Sequence, residues 1–185
     1  MRKQPRILNV ETVARTRLFH VEKLDVQFIN GTVMEFERLR ASPQGAVLVV
    51  PMYDDRTTLL IREYAAGVQR YELALPKGRI EAGESPEAAA NRELMEEVGY
   101  GARELTHITS FTLAPGYFSH VTHIILARDL YEQRCEGDEP EQIEVVPWPL
   151  ADLQDLIGCD DCTEARSIAA LYLVRDLLNN EQQGV

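Results

Sequence analysis

Residues 78–100 read GRIEAGESPEAAANRELMEEVGY, and this stretch predicts a loop followed by a helix. Ser85 is a favourable N-cap residue, and Pro86 suits the first helical position because a backbone N–H there would have no helical partner. Glu87 favours the positive end of the helix dipole. Gly99 permits the left-handed backbone conformation with which many helices end. The sequence therefore predicts one helix that begins at Pro86 and stops at Gly99.

Three carboxylates share one face of this predicted helix. At about 100° per residue, Glu93 and Glu97 lie about 40° apart, and Glu96 lies about 60° to the other side of Glu93. The adjoining stripe is apolar and consists of Ala90, Leu94 and Val98. The pattern predicts an acidic cluster beside a stripe that packs against a core.

The acidic cluster opposes helix stability. Glu93 and Glu97 are like charges at i,i+4. Glu96 and Glu97 also stand at the negative end of the helix dipole, where acids are disfavoured by roughly 0.3–1 kcal/mol each. Only Arg92, one turn before Glu96, is placed to offset part of this repulsion. A hard divalent cation would neutralise the cluster through oxygen ligands, whereas a solvated acidic face is the alternative interpretation from charge alone.

The spacing of these residues is specific. The stretch follows G-x5-E-x7-R-E-(apolar)-x-E-E-x-G-(apolar), with Gly78 and Glu84 at its start and Tyr100 at its end. It resembles the signature of the Nudix hydrolases at every position. The resemblance implies an α/β fold, the Nudix α/β/α sandwich with a mixed sheet. It also implies an enzyme that hydrolyses nucleoside diphosphates linked to another moiety, with water as nucleophile and Mg²⁺ or Mn²⁺ held by the signature glutamates.

The N-terminal part of the chain predicts a β-hairpin. Residues 17–28 and 32–39 both alternate apolar and polar side chains, and they flank Asn30-Gly31, a strong signal for a tight hairpin turn. A short strand is predicted before them at residues 7–10.

The remainder of the chain predicts a mixed sheet between helices. Residues 46–53 form a continuous apolar run, which predicts a strand buried on both faces. Residues 131–142 are acidic and lack periodicity, so they predict a loop. Further strands are predicted at 57–64, 105–113, 121–127 and 145–146, and helices at 149–157 and 164–178. The predicted organisation is an N-terminal β-hairpin region at residues 1–44 and a Nudix hydrolase domain at residues 45–185.

Outside the signature, the chain resembles the ADP-ribose pyrophosphatase branch of the family. Pro115 stands sixteen residues beyond Gly99, as a proline does in that branch. In that branch, an N-terminal hairpin region swaps across a homodimer and helps to hold the nucleoside, and residues 7–40 resemble this region. The resemblance therefore implies a homodimer in which the N-terminal region serves dimerisation and substrate binding.

Within this branch, the whole chain is most similar to the bacterial ADP-compounds hydrolases. The similarity rests on ILNVETVAR near the start, IREYA before the signature, APGYFS after it, and EGDEPE followed by PWPL. The implied reaction is metal-dependent hydrolysis of the diphosphate linkage in ADP-ribose, NADH and diadenosine di- or triphosphate, with release of AMP. The implied partner is thus a small nucleoside diphosphate derivative.

Two departures from the branch leave the specificity open. Ala65 stands where ADP-ribose enzymes often have a second arginine, and Ala74 stands where they have an acid. Residues 75–78, LPKG, resemble enzymes that act on diadenosine or inositol polyphosphates. The alternative function is a Nudix pyrophosphatase for sugar nucleotides such as GDP-mannose, or for longer dinucleoside polyphosphates. A more remote alternative, a non-catalytic ligand sensor, is opposed by the intact signature.

The signature helix supplies the predicted metal site. Glu93 and Glu97 are predicted as the main metal ligands, and Glu96 as both a metal ligand and a member of the catalytic set. The backbone carbonyl of Lys77 is predicted to add an oxygen. Arg92 is predicted to belong to the catalytic set as an orienting residue that bonds to Glu96 or to a loop carbonyl, and not to substrate.

The general base is predicted in the acidic loop. Metal-bound carboxylates are poor bases because the ion lowers their proton affinity, so a separate acid is better suited to accept the proton of water. The ADP-ribose branch has E-x-E shortly before an apolar strand, and Glu139-Pro140-Glu141 resembles it. By that resemblance Glu139 is the base and Glu141 is an additional metal ligand. Glu136 and Asp138 are alternatives in the same loop.

Four residues are predicted to bind substrate. Guanidinium groups match phosphate oxygens in bidentate fashion, so Arg62, Arg38 and Arg40 are predicted to contact the diphosphate. Tyr117 is predicted to stack on a base. The alternative for each arginine is an ordinary surface position, and for Tyr117 it is packing.

Composition limits the partners of the chain. Its net charge of −11 argues against nucleic acid and anionic membranes, because both bind basic surfaces. Neither a signal sequence nor an apolar run of membrane-spanning length is recognised, so a cytoplasmic location is expected. The three cysteines, Cys135, Cys159 and Cys162, are expected to be reduced thiols.

Overall fold

A computed structural model describes residues 3–137 and 139–183. The strands are β1 Arg6–Arg15, β2 His20–Gln27, β3 Val33–Leu39, β4 Ala46–Pro51, β5 Thr57–Ala65, β6 Arg70–Ala74, β7 Lys77–Arg79, β8 Tyr100–Thr112, β9 Val121–Glu132 and β10 Glu144–Pro149. The helices are α1 Pro86–Glu93, α2 Leu153–Ile157 and α3 Ala165–Gln183, with a π-helical turn at Leu94–Val98 and a 3-10 turn at Leu150–Asp152. Within the described residues, no helix has both the length and the apolar character that crossing a membrane requires.

The chain forms two compact units. The small unit contains the residues up to Gly45 together with Thr112–Val121, and the large unit contains Ala46–Phe111 together with the residues from Thr122 onward. In the small unit, β1, β2 and β3 form an antiparallel sheet in that order. The predicted hairpin joins β2 to β3, and Gly31 takes the left-handed conformation at its turn, with φ of 85°. This N-terminal hairpin is confirmed.

The large unit contains two sheets. One has the strand order β7-β4-β9-β8, and the other has the order β10-β5-β6. β4 runs parallel to β9 and antiparallel to β7, so the sheet that contains β4 is mixed, as predicted. Every residue of β4 is buried, which confirms the strand expected from its continuous apolar run.

Helices cover both faces of the β4 sheet. On one face, Leu48 and Val50 belong to a core cluster that includes buried residues of α2 and α3: Leu153, Leu156, Ala170, Leu171 and Val174. On the other face, Val47 and Val49 belong to a cluster with residues of the signature helix: Ala89, Ala90, Leu94 and Val98. Successive side chains of β4 therefore pack against the helices on opposite faces of the sheet. The predicted α/β/α sandwich is confirmed, and so is the apolar stripe of the helix.

Several local elements differ from the sequence expectations, among them β1, which is longer than the strand predicted at 7–10, and β8, which begins at Tyr100 instead of residue 105. β7 occupies residues that were expected to form a loop. It is a strand because its backbone pairs with β4, and three residues are too few for a periodic sequence pattern to predict this pairing. β9 continues to Glu132, into the stretch predicted as loop. The helix predicted at residues 149–157 begins as the 3-10 turn and becomes α-helical at Leu153.

Candidate active site

The signature helix begins at Pro86 and stops at Gly99 as predicted, but its last turn is π-helical. The Ser85 hydroxyl accepts a hydrogen bond from the N–H of Ala88 at 3.1 Å, and Pro86 is the first helical residue. After Glu93 the backbone becomes π-helical, and the N–H of Gly99 bonds five residues back to the carbonyl of Leu94 at 3.1 Å. Gly99 then ends the helix with φ of 86°. The uniform angular spacing predicted for the three glutamates is therefore wrong beyond Glu93, because a π turn holds more residues than an α turn.

The carboxylate of Glu93 lies against the loop that precedes the helix. Glu93 is only 8% exposed. A Cβ added at Gly78 would overlap the Glu93 carboxylate, so Gly78 is the residue that leaves room for this acid. Burial raises the pKa of Glu93, and hydrogen bonding to Arg92 opposes that shift.

Glu97 is the most deeply buried acid of the site. It is 3% exposed, and its Oε2 accepts a hydrogen bond from the backbone N–H of Lys77 at 2.9 Å. Burial raises the pKa of Glu97 to about 8, against the opposing charge of Lys77. The Lys77 ammonium pairs with Glu63 at 3.1 Å. Glu63 is thus a member of the site that the sequence did not indicate, since it lies on β5, outside the signature.

Arg92 holds the loop and the helix together. Its Nε donates to Glu84 at 2.9 Å, and its Nη1 donates to Glu93 at 2.8 Å and to Glu96 at 3.1 Å. Its Nη2 donates to the backbone carbonyl of Arg79 at 3.0 Å. The predicted contact with Glu96 is therefore present, and the carbonyl that Arg92 binds lies on β7, where the sequence predicted a loop. The pKa of Arg92 is raised, chiefly by its bond to Glu84, so this guanidinium remains charged.

The donor set fits a hard divalent cation. Among the described residues, no three side chains of His, Cys, Asp or Glu form a ready-made metal cluster. In this structure, Arg92 donates hydrogen bonds to carboxylate oxygens of Glu93 and Glu96. The carboxylates are nevertheless the oxygen ligands that Mg²⁺ and Mn²⁺ prefer. Burial disfavours the charged forms of Glu93 and Glu97, and a bound cation would offset that penalty.

The acidic loop, described at residues 133–137 and 139–143, is attached to the end of the signature helix. The last carbonyls of a helix have no partner inside it. Here Met95 O accepts from the N–H of Cys135 at 3.1 Å, Gly99 O accepts from the N–H of Gln133 at 3.0 Å, and Val98 O accepts from Arg134 Nη2 at 3.3 Å. Sequence reasoning missed Arg134, because nothing near it in the chain indicates a partner at Val98.

A second contact holds the other end of the acidic loop. The hydroxyl of Tyr71, on β6, donates to Glu141 Oε1 at 2.7 Å, and this bond raises the pKa of Tyr71. Between the two attachments, the negative charge of Glu139 contributes to the raised pKa of Glu93, so Glu139 lies within electrostatic range of that acid. Asp138, an alternative base, lies outside the described residues. The roles predicted for Glu139 and Glu141 stay predictions.

The three predicted phosphate-binding arginines all bind carboxylates in this structure. Arg62 pairs with Glu144 at 2.8 Å and with Asp161 at 3.1 Å in the large unit. In the small unit, Arg38 and Arg40 both pair with Glu22, at 2.8 Å and 2.9 Å. Glu22 is 2% exposed, and its pKa is lowered, chiefly by its bond to Arg38. Contacts between these arginines and a diphosphate remain a prediction.

Tyr117 lies in the small unit beside an aromatic cleft. Its backbone carbonyl accepts from the N–H of Leu39 at 2.7 Å, which fixes this segment against β3. The Tyr117 side chain is exposed and lines a cleft of about 300 Å³ together with Phe28, Phe36 and Phe118. The predicted stacking of Tyr117 on a base remains a prediction.

Comparison with known proteins identifies the family. Residues 42–165 match the NUDIX domain, and residues 5–38 match the NudE-type Nudix hydrolase N-terminal domain. The ADP compounds hydrolase NudE of Escherichia coli (strain K12) is 51% identical over 96% of this chain and 95% of its own length. The ADP-ribose pyrophosphatase of Bacillus subtilis (strain 168) is 32% identical over 91% of this chain and 94% of its own length.

A solved structure agrees with these matches. The crystal structure of an ADP compounds hydrolase superposes with a TM-score of 0.90 at 50% identity, covering 98% of this chain and 97% of that one. The chain therefore belongs to the Nudix hydrolase family, as its signature predicted.

Magnesium binding is expected to release about one proton at pH 7. With the pKa of Glu97 near 8, most of its carboxyl is protonated at pH 7 without metal, and the predicted role of Glu97 as a metal ligand requires the ionised form. Calorimetry in two buffers of different ionisation enthalpy measures the proton number. Because the folded-state pKa of Glu97 exceeds the ordinary glutamate value of 4.5, the metal-free protein should also lose stability as the pH rises between those two values. Equal heats in both buffers at pH 7 would contradict this expectation.

Removing the Arg134 side chain is expected to lower kcat about tenfold, with little change in KM or stability, if the loop that Arg134 holds carries the base. Arg134→Lys should recover part of the loss, because a cation near the helix end is retained. Arg128→Ala, which removes an arginine paired with Glu181, is the matched control. If kcat and the pH profile of Arg134→Ala were unchanged, Arg134 would not be needed to position the acidic loop.

Proposed function

We propose that this Nudix hydrolase cleaves the diphosphate linkage of ADP-containing compounds, among them ADP-ribose, NADH and diadenosine di- or triphosphate, and releases AMP. The observation that carries the proposal is the buried pair Glu93 and Glu97, held beside an Arg92 that connects the loop to the helix. The names of the relatives, ADP compounds hydrolase and ADP-ribose pyrophosphatase, support the choice of substrate class.

Glu93 and Glu97 would hold the Mg²⁺ or Mn²⁺ ion, with Glu96 and the carbonyl of Lys77 as further ligands. Glu141 would join them when substrate is present, after leaving its bond to Tyr71. When bound, the ion supplies charge neutralisation and polarisation of the diphosphate oxygens. This assignment explains why two acids are kept in surroundings that raise their pKa.

Glu139 accepts a proton from the attacking water in the proposed mechanism. As the water oxygen bonds to phosphorus, the anhydride P–O bond breaks, and its electron pair leaves with the departing phosphate group. Glu139 is suited to this role because its charge acts on Glu93 and because it lies on a loop attached at both ends. Arg92 orients Glu96 and the loop carbonyl and does not contact substrate.

Four residues are proposed to bind the rest of the substrate. Arg62, Arg38 and Arg40 offer guanidinium groups to the diphosphate, which a chain with a net charge of −11 otherwise repels. Tyr117 stacks on the adenine in the aromatic cleft of the small unit. The volume of this cleft, about 300 Å³, lies at the lower end of the range for small-molecule sites.

The proposed assembly is a cytoplasmic homodimer built through the N-terminal region, residues 1–44. All ten residues of β1 are exposed, and they include Ile7, Leu8, Val10 and Val13. An exposed strand with this much apolar surface needs a partner in solution. The thiols of the three cysteines are free, which fits a reducing compartment. Neither nucleic acid nor a membrane is proposed as a partner.

A substrate panel tests the function. ADP-ribose, NADH, diadenosine di- and triphosphate and GDP-mannose are incubated with Mg²⁺ or Mn²⁺, and the products are resolved by chromatography. AMP is expected from the adenine compounds, and Glu97→Gln should lower kcat about a thousandfold. Glu87→Gln removes the same charge from the first turn of α1 and is the control. Preference for GDP-mannose would favour the sugar-nucleotide alternative, and a lack of any cleavage would favour the sensor.

Replacing Glu139 tests the base. Glu139→Gln should lower kcat about 10²–10⁴-fold and remove the acidic limb of its pH profile, because the proton acceptor is lost. Glu136→Gln makes the same change nearby in the acidic loop and should leave kcat and the pH profile nearly unaltered. If the effects of the two substitutions were reversed, Glu136 would be the base.

Light scattering tests the dimer. At micromolar concentration the protein should have twice the mass of one chain, and Val10→Asp should shift it toward the single-chain mass by placing a charge in an apolar interface. Glu11→Gln, at the neighbouring position of β1, should leave the mass unchanged. A wild-type protein with the mass of one chain would rule out the homodimer.

A further inference from the structure

A carboxylate is buried beside two arginines in the sheet of the small unit. Glu22 lies on β2, the central strand, and stands directly opposite Arg38 of β3. Arg40 follows the end of β3 and continues the pairing with β2, since its N–H donates to His20 O at 2.8 Å. The side chain of Glu22 is 3% exposed, whereas those of Arg38 and Arg40 are 33% and 51% exposed. The acid is therefore enclosed, while the two arginine side chains reach solvent.

Each carboxylate oxygen of Glu22 binds a different arginine. Oε2 accepts a hydrogen bond from Arg38 Nε at 2.9 Å and lies 2.8 Å from Arg38 Nη2. Oε1 accepts a hydrogen bond from Arg40 Nη1 at 2.9 Å. These bonds lower the pKa of Glu22, with the bond to Arg38 as the chief cause, so the carboxylate is ionised at neutral pH. One carboxylate is thus shared by two guanidinium groups, and the three groups together keep one net positive charge.

The carboxylate occupies only part of each guanidinium group. A guanidinium has five N–H donors in a planar fork, and two parallel donors are enough to bind a phosphate in bidentate fashion. In the contacts among the described residues, Arg38 uses Nε and Nη2 and keeps Nη1, whereas Arg40 uses Nη1 and keeps Nε and Nη2. Both arginines therefore retain donors for an anion while they are held by Glu22.

Stability alone does not account for a buried carboxylate at this position. Desolvation opposes the attraction within a buried ion pair, and apolar side chains of similar volume often stabilise a fold as well or better. The ion pairs do supply orientation. Long arginine side chains lose rotamer freedom when they bind an anion, and a partner that already fixes them removes part of that loss. Orientation matters here because a chain with a net charge of −11 repels phosphate as a whole.

We propose that Glu22 is a positioning residue, which fixes Arg38 and Arg40 so that their remaining donors bind the diphosphate of the substrate. The inference rests on the proposed function, in which both arginines contact this diphosphate. Glu22 itself does not contact substrate, since its charge would repel a phosphate, and it acts only through the two arginines. Its effect is on binding, so its loss raises KM and leaves kcat largely unchanged.

Two substitutions of Glu22 separate orientation from charge. Glu22→Asp keeps the charge and withdraws the carboxylate by one methylene, so it should raise KM for ADP-ribose about tenfold and change kcat less than about twofold, because both arginines must then be ordered on binding. Glu22→Gln makes the cluster more positive but leaves one acceptor oxygen for two arginines, and it should also raise KM. Glu35→Gln is the control, since it removes the same charge from the opposite face of the sheet, where Glu35 pairs with Lys23.

Inorganic pyrophosphate is the direct probe of the arginines. It is titrated by calorimetry in EDTA, below the thermal midpoint of each variant, so neither metal nor hydrolysis enters the measurement. The wild type should bind pyrophosphate, Glu22→Asp should bind it about tenfold more weakly, and Glu35→Gln should match the wild type. Arg38→Lys leaves the buried acid in place but removes the planar fork, and it should also bind more weakly. This variant tests the proposal even if the Glu22 variants do not fold.

Failure of this inference differs from failure of the proposed function. If ADP compounds were not cleaved while pyrophosphate affinity still depended on Glu22, the proposed function would be wrong, and the positioning of the two arginines by Glu22 would stand. Tighter pyrophosphate binding by Glu22→Gln, or wild-type affinity in Glu22→Asp or Arg38→Lys, would overturn the inference. A wild type that does not bind pyrophosphate would overturn it as well.

Discussion

The burial of two carboxylates at one end of a helix is the constraint on which the site depends. Glu93 and Glu97 are almost inaccessible to solvent, and burial raises the pKa of both. Glu93 occupies the space left by Gly78 and accepts a hydrogen bond from the guanidinium of Arg92, whereas Glu97 accepts one from the backbone N–H of Lys77. These contacts restrain the acids without removing the charge penalty, which a divalent cation, as Nudix hydrolases generally use, would offset.

The same helix end also positions the loop that carries the proposed base. Its terminal carbonyls accept bonds from the backbone and side chain of the acidic loop, while Tyr71 holds that loop at Glu141. Movement of the π-helical turn would therefore displace the proposed ligands Glu96 and Glu97 together with the acidic loop. A π turn at this point is in keeping with the frequent occurrence of such turns at functional sites.

Local patterns in the sequence predicted much of the fold and the centre of the site. Ser85, Pro86 and Gly99 marked the helix ends, and the apolar run at β4 predicted a strand covered on both sides. What the sequence did not predict depends on contacts between distant residues. The π-helical turn, the pairing of β7, Arg134 on Val98 and Glu63 on Lys77 arise from tertiary packing, which short-range periodicity does not encode.

The most direct measurement of the central claim is a crystal structure with Mn²⁺ and a non-hydrolysable ADP-ribose analogue, in which anomalous scattering locates the ion. The account predicts manganese on oxygens of Glu93 and Glu97, with Arg92 still bonded to Glu84 and not to the diphosphate. Manganese held by the acidic loop without Glu93 and Glu97, or Arg92 bound to the diphosphate, would contradict it.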